Sequence, residues 1–381
     1  MQLTIRRAGA GLALLVVLLA AHGAARAYPQ FQLSTGNNRC SVCHISPVGG
    51  GLLNEYGRSE SGDTISQFGG NGAFLYGVYD EPTWLKLGVD LRGAALGKKV
   101  NDDPEYFLFP MQGDTYVNLK AGSFSLYGVV GPRAQVRPPR DSVLERFGSR
   151  EYWLMWRPKS TGWYARAGRF FAPFGLRSQD HTTYVRRYLG QDNWNETYNA
   201  SVGNVTDEWE AHATFFTAVP YELMGNGPRA TGGTVYYEKR LADNKAVVGA
   251  QAKAGFADTD RTYLIGGIGK YYLESSKVLL MGELDLAAQD FLDNNGPTQP
   301  QLAGYLGASY WPLTGLLVGA AIERYDEDMN VNKLARDAAS LNIQYFPLAH
   351  WELMLTGKLE FQGAEYGDPG SLAMLQLHYY L

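Results

Sequence analysis

The chain has 381 residues, a formal net charge of −4, 45 Gly, 25 Tyr and 8 Trp, but only two Cys. It has no basic stripe of the kind that marks a nucleic-acid binder. After the first 27 residues it has no run of 18 apolar residues, which excludes helical membrane spans. Abundant Gly and aromatics with mild acidity fit a transmembrane β-barrel instead.

Residues 1–27 read as a secretory signal peptide. Arg6 and Arg7 precede the apolar run "LALLVVLLAA" at 12–21, and Ala25-Arg26-Ala27 is a small-x-small cleavage site. The mature chain is expected to start at Tyr28. Removing three arginines and no acid leaves a charge of (34 − 3) − 38 = −7.

Both cysteines lie in "NNRCSVCHISP" (37–47), as Cys40-x-x-Cys43-His44. This spacing is the attachment unit of c-type haem. Two thiols add to the vinyl groups of one porphyrin edge, and the adjacent histidine becomes the proximal axial ligand of the iron. A disulfide or redox pair would not need His44 and would sit in a βαβ context, which is absent. Zinc would need a second ligand pair, and no third cysteine exists. Export and the cysteine count therefore favour one covalent haem c on Cys40, Cys43 and His44.

The segment 28–82 is too short and too Gly-rich to build a haem-wrapping core without outside support. Between Ile45 and Pro110 it also offers no Met or His as a sixth ligand. It is expected to be a plug that carries the haem into a barrel formed by 83–381.

From residue 83 the apolar period is two. Leu85, Leu87, Val89 and Leu91 oppose Lys86, Gly88, Asp90 and Arg92. Val278, Leu280, Leu284 and Leu286 oppose Lys277, Met281, Glu283 and Asp285. Leu353, Leu355 and Leu359 oppose Glu352, Thr356, Lys358 and Glu360. Ala373, Leu375, Leu377, Tyr379 and Leu381 oppose Met374, Gln376, His378 and Tyr380. Charges on the polar face at mid-strand suit a watery lumen better than a sandwich surface.

Fifteen strands are directly visible, with starts near 84, 107, 123, 151, 163, 209, 233, 247, 262, 277, 302, 316, 339, 352 and 373. "ALGKKVNDDPE" reads as a long first loop. Long and short connections alternate from both ends of the chain, and the two counts agree only if "ETYNASVGNV" (196–205) is one more strand. The fold class is then all-β, a barrel of about 16 antiparallel strands with both ends at the periplasmic side. The third outer loop, about 171–194, carries Arg177, Arg186, Arg187, Asp180 and His181 and is a candidate to fold inward.

The polar parity class supplies the candidate distal ligands Met155, His212, Met281, Met354, Met374 and His378, and the loop supplies His181. Met111 falls with Phe107 and Phe109 on the apolar face.

The segment "YPQFQLSTGNNRCSVCH", with Phe31, Thr35, Gly36, Cys40, Cys43 and His44, followed by "LLNEYGR" (52–58), resembles the fused monohaem cytochrome–porins of the bacterial outer membrane, including those of iron oxidisers. The resemblance implies haem c on the two cysteines with His44 as proximal ligand, and electron transfer across the outer membrane. It further implies a periplasmic c-type cytochrome and an extracellular donor or acceptor such as Fe(II) as partners, with the barrel embedded in outer-membrane lipid. "SPVGGGL" inserts a Gly triplet that the iron-oxidase pattern lacks. "GRFFAPFGLR" (168–177) is similar to a segment of general porins. The competing functions are a diffusion porin with a structural haem plug and a haem sensor or peroxidase. Hydrolytic chemistry has no motif.

Overall fold

The computed structural model describes residues 29–34, 39–100, 103–132, 147–159, 161–192, 195–218, 230–292, 296–331, 334–362 and 370–381. The expected signal peptide lies outside the described residues, as do Thr35 and Gly36.

Sixteen antiparallel strands close into a barrel. They are β1 (Leu85–Val100), β2 (Asp103–Ala121), β3 (Phe124–Pro132), β4 (Phe147–Gly148, resuming at Tyr152–Trp156), β5 (Trp163–Phe170), β6 (Thr197–Val205), β7 (Trp209–Thr217) and β8 (Thr231–Leu241). The second half is β9 (Ala246–Phe256), β10 (Asp260–Leu273), β11 (Val278–Phe291), β12 (Gln299–Leu313), β13 (Leu316–Asp326), β14 (Arg336–Tyr345), β15 (Trp351–Gln362) and β16 (Gly370–Tyr380). Each strand pairs with its sequence neighbours. β1 also pairs with β16, from Asp90 opposite Tyr380 to Lys99 opposite Ser371. Closure removes both sheet edges, so the backbone polar groups of the ladders are satisfied inside hydrocarbon. The strand inferred from loop alternation is β6.

Alternation sorts the side chains as the sequence requires. On β11, Leu280, Leu284 and Leu286 are exposed on the outer wall, while Met281, Glu283 and Asp285 are buried in the interior. Outward Trp156, Trp163, Tyr271 and Tyr310 lie beside the short turns, and Tyr152, Phe215, Phe256 and Tyr263 lie nearer the loop ends. These are the two aromatic girdles of an outer-membrane barrel, and the short-turn end is the periplasmic one.

Three expectations need correction. First, β1 and β2 stay paired as far as Val100 opposite Asp103, so "ALGKKVNDDPE" is mostly strand rather than loop. The Lys98–Glu105 ion pair, 2.7 Å long, belongs to this extension. Its polar composition hides the alternation because both faces meet water there. Second, the β1–β2 register shifts between Arg92 and Gly93, leaving Met111 as an extra residue in β2. A one-residue bulge inverts side-chain parity beyond it. Gln112, Asp114 and Tyr116 therefore face inward below the bulge, and Met111 and Phe109 line the lumen cavity above it. Met111 is not on the lipid face. Third, Leu381 follows the last strand and is buried, lining the same cavity, with its N–H donating to Val89 O at 2.8 Å.

The lumen is filled from both ends. At the periplasmic end, α1 (Pro29–Ser34) places Phe31 against Trp311 and Phe346. Phe31, Leu33 and Ile65 join inward residues of β8–β13 and Phe346, just after β14, in one apolar cluster. From the other side, residues 171–192, between β5 and β6, fold inward. Gly175 N–H donates to Gln251 Oε1 at 2.7 Å and Leu176 N–H to Glu283 Oε2 at 2.8 Å. Phe174, Tyr184, Val185 and Leu189 of this loop pack on Leu264, Ala287, Ala303, Tyr325 and Ala338. A short helix, α3 (Tyr184–Arg187), lies within it.

Candidate cofactor site in the barrel lumen

Cys40–Val42 forms one 3-10 turn, closed by Cys43 N–H donating to Cys40 O at 3.3 Å, and His44 N–H donates to the same oxygen at 3.0 Å. The chain then doubles back. His44 bridges Leu53, and Ile45 N–H donates to Leu52 O at 3.1 Å. The tip of this hairpin is the Gly triplet, with φ of 85°, 76° and 59° at Gly49, Gly50 and Gly51. Side chains avoid that backbone region. A Cβ on Gly51 would also stand 2.2 Å from Tyr127 Oη, and one on Gly49 would stand 3.1 Å from Cys40 Cβ. The inserted glycines thus let the hairpin turn tightly beside the cysteines and against the wall.

The "LLNEYGR" segment holds this turn from behind. Asn54 caps α2 (Glu55–Glu60) by accepting from Gly57 N–H at 2.9 Å, and its Nδ2 donates to Val42 O at 2.8 Å. Gly57 lies so close that a Cβ there would be 2.3 Å from Cys43 O. Arg58 is buried. It donates to Glu81 Oε2 at 2.6 Å and to Leu87 O of β1, which anchors the segment to the barrel. Sequence reasoning noted this stretch only as a resemblance. The signal that could have explained it is a helix-capping Asn followed three residues later by Gly.

The barrel supplies the remaining walls. Leu52 packs among Tyr116, Tyr127, Trp153, Met155 and Tyr164, with Ile45 partly buried against them. Tyr127 stacks on Trp153 at 4.6 Å and accepts Leu52 N–H through its hydroxyl at 3.3 Å. Arg166 of β5 donates to Ser46 Oγ at 3.2 Å, and Arg177 of the inward loop donates to Val48 O at 3.3 Å. The N-terminal segment, the loop and the wall therefore meet around one cavity of about 860 Å³, which Cys40, Cys43 and His44 all line. Cavities that hold ligands of cofactor size fall in this range, ~300–1,000 Å³.

Neither cysteine is in a disulfide. Burial pushes the Cys40 thiol up, which keeps it protonated. Burial pulls His44 down to about 4, only partly offset by the backbone of Gly51 and Gly50. Its imidazole is neutral at physiological pH, which is the form that ligates metals. His44 Nδ1 is buried with no hydrogen-bond partner.

The distal candidates separate clearly. Met281, Met354, Met374 and His181 line the same cavity, as does Met111. Met155 is buried in the wall cluster instead. His212 is also in the wall, with Nδ1 2.8 Å from Tyr164 Oη and Nε2 3.5 Å from Glu210 Oε1. His378 lines the cavity, but its Nδ1 is held by Glu352 at 2.7 Å and its Nε2 by Asp90. Met354 Sδ accepts from Gln344 at 3.3 Å, and His181 Nδ1 pairs with Asp192 at 2.9 Å. Parity alone selected the inward side chains. It could not separate those facing the cavity from those packed within the wall.

Closed sixteen-strand geometry, aromatic girdles and an inward-folded third loop define a porin-like barrel of the bacterial outer membrane. Three solved structures illustrate the likeness. OmpT of Vibrio cholerae superposes with a TM-score of 0.60 at 11% identity, over 79% of this chain and 99% of that one. Pseudomonas putida OprB gives 0.58 at 12% identity over 78% and 94%, and an anion-selective porin from Comamonas acidovorans gives 0.57 at 14% over 78% and 99%. No protein-family model and no curated protein matches the sequence. Residues 83–381 make up 299 of 381 residues, or 78%, so the matched share equals the barrel in size.

Proposed function

We propose that this porin-like barrel carries one haem c in its lumen on Cys40, Cys43 and His44 and passes electrons across the outer membrane. One observation carries the reading. A Cys-x-x-Cys-His turn with no disulfide between its cysteines and a neutral imidazole opens onto a cavity of cofactor size inside the barrel. The residues present fit the group. Two thiols are available for the vinyl carbons, His44 is available for the iron, and the Gly triplet keeps side chains off the adjacent rim.

Bound there, haem supplies one-electron oxidation and reduction at its iron. The chain's own residues bind and orient it. Asn54 and Gly57 fix the turn, Arg58 ties it to β1, and Leu52 with Tyr127 and Trp153 excludes water from one side. The partners in this reading are a periplasmic c-type cytochrome at the short-turn end and an extracellular donor or acceptor, Fe(II) among them, at the loop end.

A second reading is a diffusion porin in which the N-terminal segment is a structural or regulatory plug. The likeness to solved porins favours it over electron transfer, because that likeness concerns the barrel and not the motif. Planar-bilayer recording combined with redox titration of the purified protein separates the two. Electron transfer expects a reversible one-electron haem transition in a barrel of low conductance. Large steady solute currents without a haem transition would leave only the diffusion porin. A high-spin, five-coordinate haem spectrum would turn the reading toward a sensor or peroxidase.

A further inference from the structure

We infer that Arg166 is the clamp for a carboxylate side chain of the tetrapyrrole, a reading that rests on the haem proposal. Arg166 projects inward from the middle of β5 and lines the cavity beside the motif. It is 2% exposed. Its Nη1 donates to Ser46 Oγ, two residues beyond His44. Its Nε and Nη2 are buried and have no hydrogen-bond partner, and among the described residues no other arginine leaves two buried nitrogens unpartnered.

The pattern of used and unused donors is informative. Nε and Nη2 form one edge of the guanidinium fork, the edge that grips a carboxylate with two parallel hydrogen bonds. The remaining nitrogen, Nη1, is the one that holds Ser46. Around the group, the guanidinium carbon lies over the Phe170 ring at 3.7 Å and over the Trp153 ring at 5.5 Å from the centroids. Those contacts hold the charge against aromatic rings but satisfy no N–H. The nearest carboxylate, Glu151, stands 4.0 Å from Nη1 and already accepts from Trp153 Nε1 at 2.8 Å.

Neighbouring cations are already engaged. Arg150 pairs with Asp114, Arg169 with Glu196, and Arg177 with Glu210. A buried guanidinium with two idle donors is costly unless an anion meets it. Haem brings two carboxylates at the porphyrin edge opposite the vinyl groups, so an anion arrives in this cavity with the group that the cysteines bind.

The test is resonance Raman spectroscopy of the purified holoprotein, following the propionate-bending band in wild type, Arg166→Gln and Arg166→Lys. Haem remains covalently attached in both variants, because the cysteines are untouched. The expected result is a shifted band in Arg166→Gln and a partial shift in Arg166→Lys, which keeps the charge and loses the fork. If Arg166→Gln fails to fold, as its heat-modifiable gel migration would reveal, Arg166→Lys decides alone. An unmoved band in every folded variant with haem attached overturns the clamp and leaves the haem reading intact. Absence of covalent haem in the wild type overturns both.

Discussion

The barrel and the N-terminal segment are built on opposite principles. Each barrel strand states its own structure through alternation, and neighbouring strands satisfy its backbone. The segment 39–82 has one short helix and a few turns, and its apolar residues find their cores on the barrel: Leu52 on Tyr127 and Trp153, Ile65 in the cluster around Phe31. The barrel is thus a scaffold that stands by closure. The segment is a guest whose conformation depends on its host, which is what a chain too small for its own core requires.

This comparison can be broken or sharpened by perturbing each side. The largest effect is expected from deleting residues 28–82. The barrel should still fold and insert, since its strand-to-strand ladders close without the segment, and single-channel conductance in planar bilayers should rise severalfold. A deletion protein that cannot insert would mean that the segment is part of the scaffold.

Next is Arg58→Ala. The side chains of Arg58 and Glu81 are 3% and 4% exposed, and breaking a buried pair of this kind costs about 3–5 kcal/mol. The loss should fall on the guest alone. Limited proteolysis should cut the segment early while the barrel stays intact, and simultaneous loss of both would contradict the division.

A smaller effect concerns acid. His350, in the turn between β14 and β15, is fully buried beside the rings of Tyr76, Tyr379 and Tyr380. Burial lowers it from 6.5 to about 4, partly offset by the backbone of Ala73, with Arg58 pushing the same way as burial. The unfolded chain therefore takes up this proton first as pH falls. Stability from this site is complete above 6.5 and declines as pH drops toward 4. His350→Asn, which tolerates the local φ of 69°, should flatten the pH dependence of thermal unfolding across that window. An unchanged slope would remove His350 as its source.

The smallest effect is Lys86→Ala. Its 2.6 Å bridge to Glu55 joins guest to host where Glu55 is 77% exposed, and its second, looser contact is 3.6 Å from Glu81, which Arg58 already holds at 2.6 Å, so the loss should be well below that of Arg58→Ala. The segment should stay docked by proteolysis.

What the sequence made legible follows the same division. Period-two alternation and loop parity located the strands, including β6, which composition alone had hidden. They failed at Met111 because a bulge is a property of two paired strands, and parity read along one strand cannot detect it. They failed at the top of β1 and β2 because alternation disappears once both faces are wet. In the segment, the motif names the proposed haem-binding residues, Cys40, Cys43 and His44, directly. The cradle around it, made of Tyr127, Trp153, Arg166 and Arg177, comes from strands and a loop distant in sequence. Arg166 had a visible signal as an inward-parity arginine, but it was one lumen charge among many until the idle edge of its guanidinium was seen beside Ser46.

The central claim is that the lumen turn carries haem. Intact mass spectrometry of the denatured, membrane-extracted protein from a host competent in c-type haem attachment tests it most directly, with a Cys40→Ser/Cys43→Ser control. The account predicts a mass increase of one haem that survives denaturation and vanishes in the control. An unmodified wild-type mass would contradict it and leave a plugged porin.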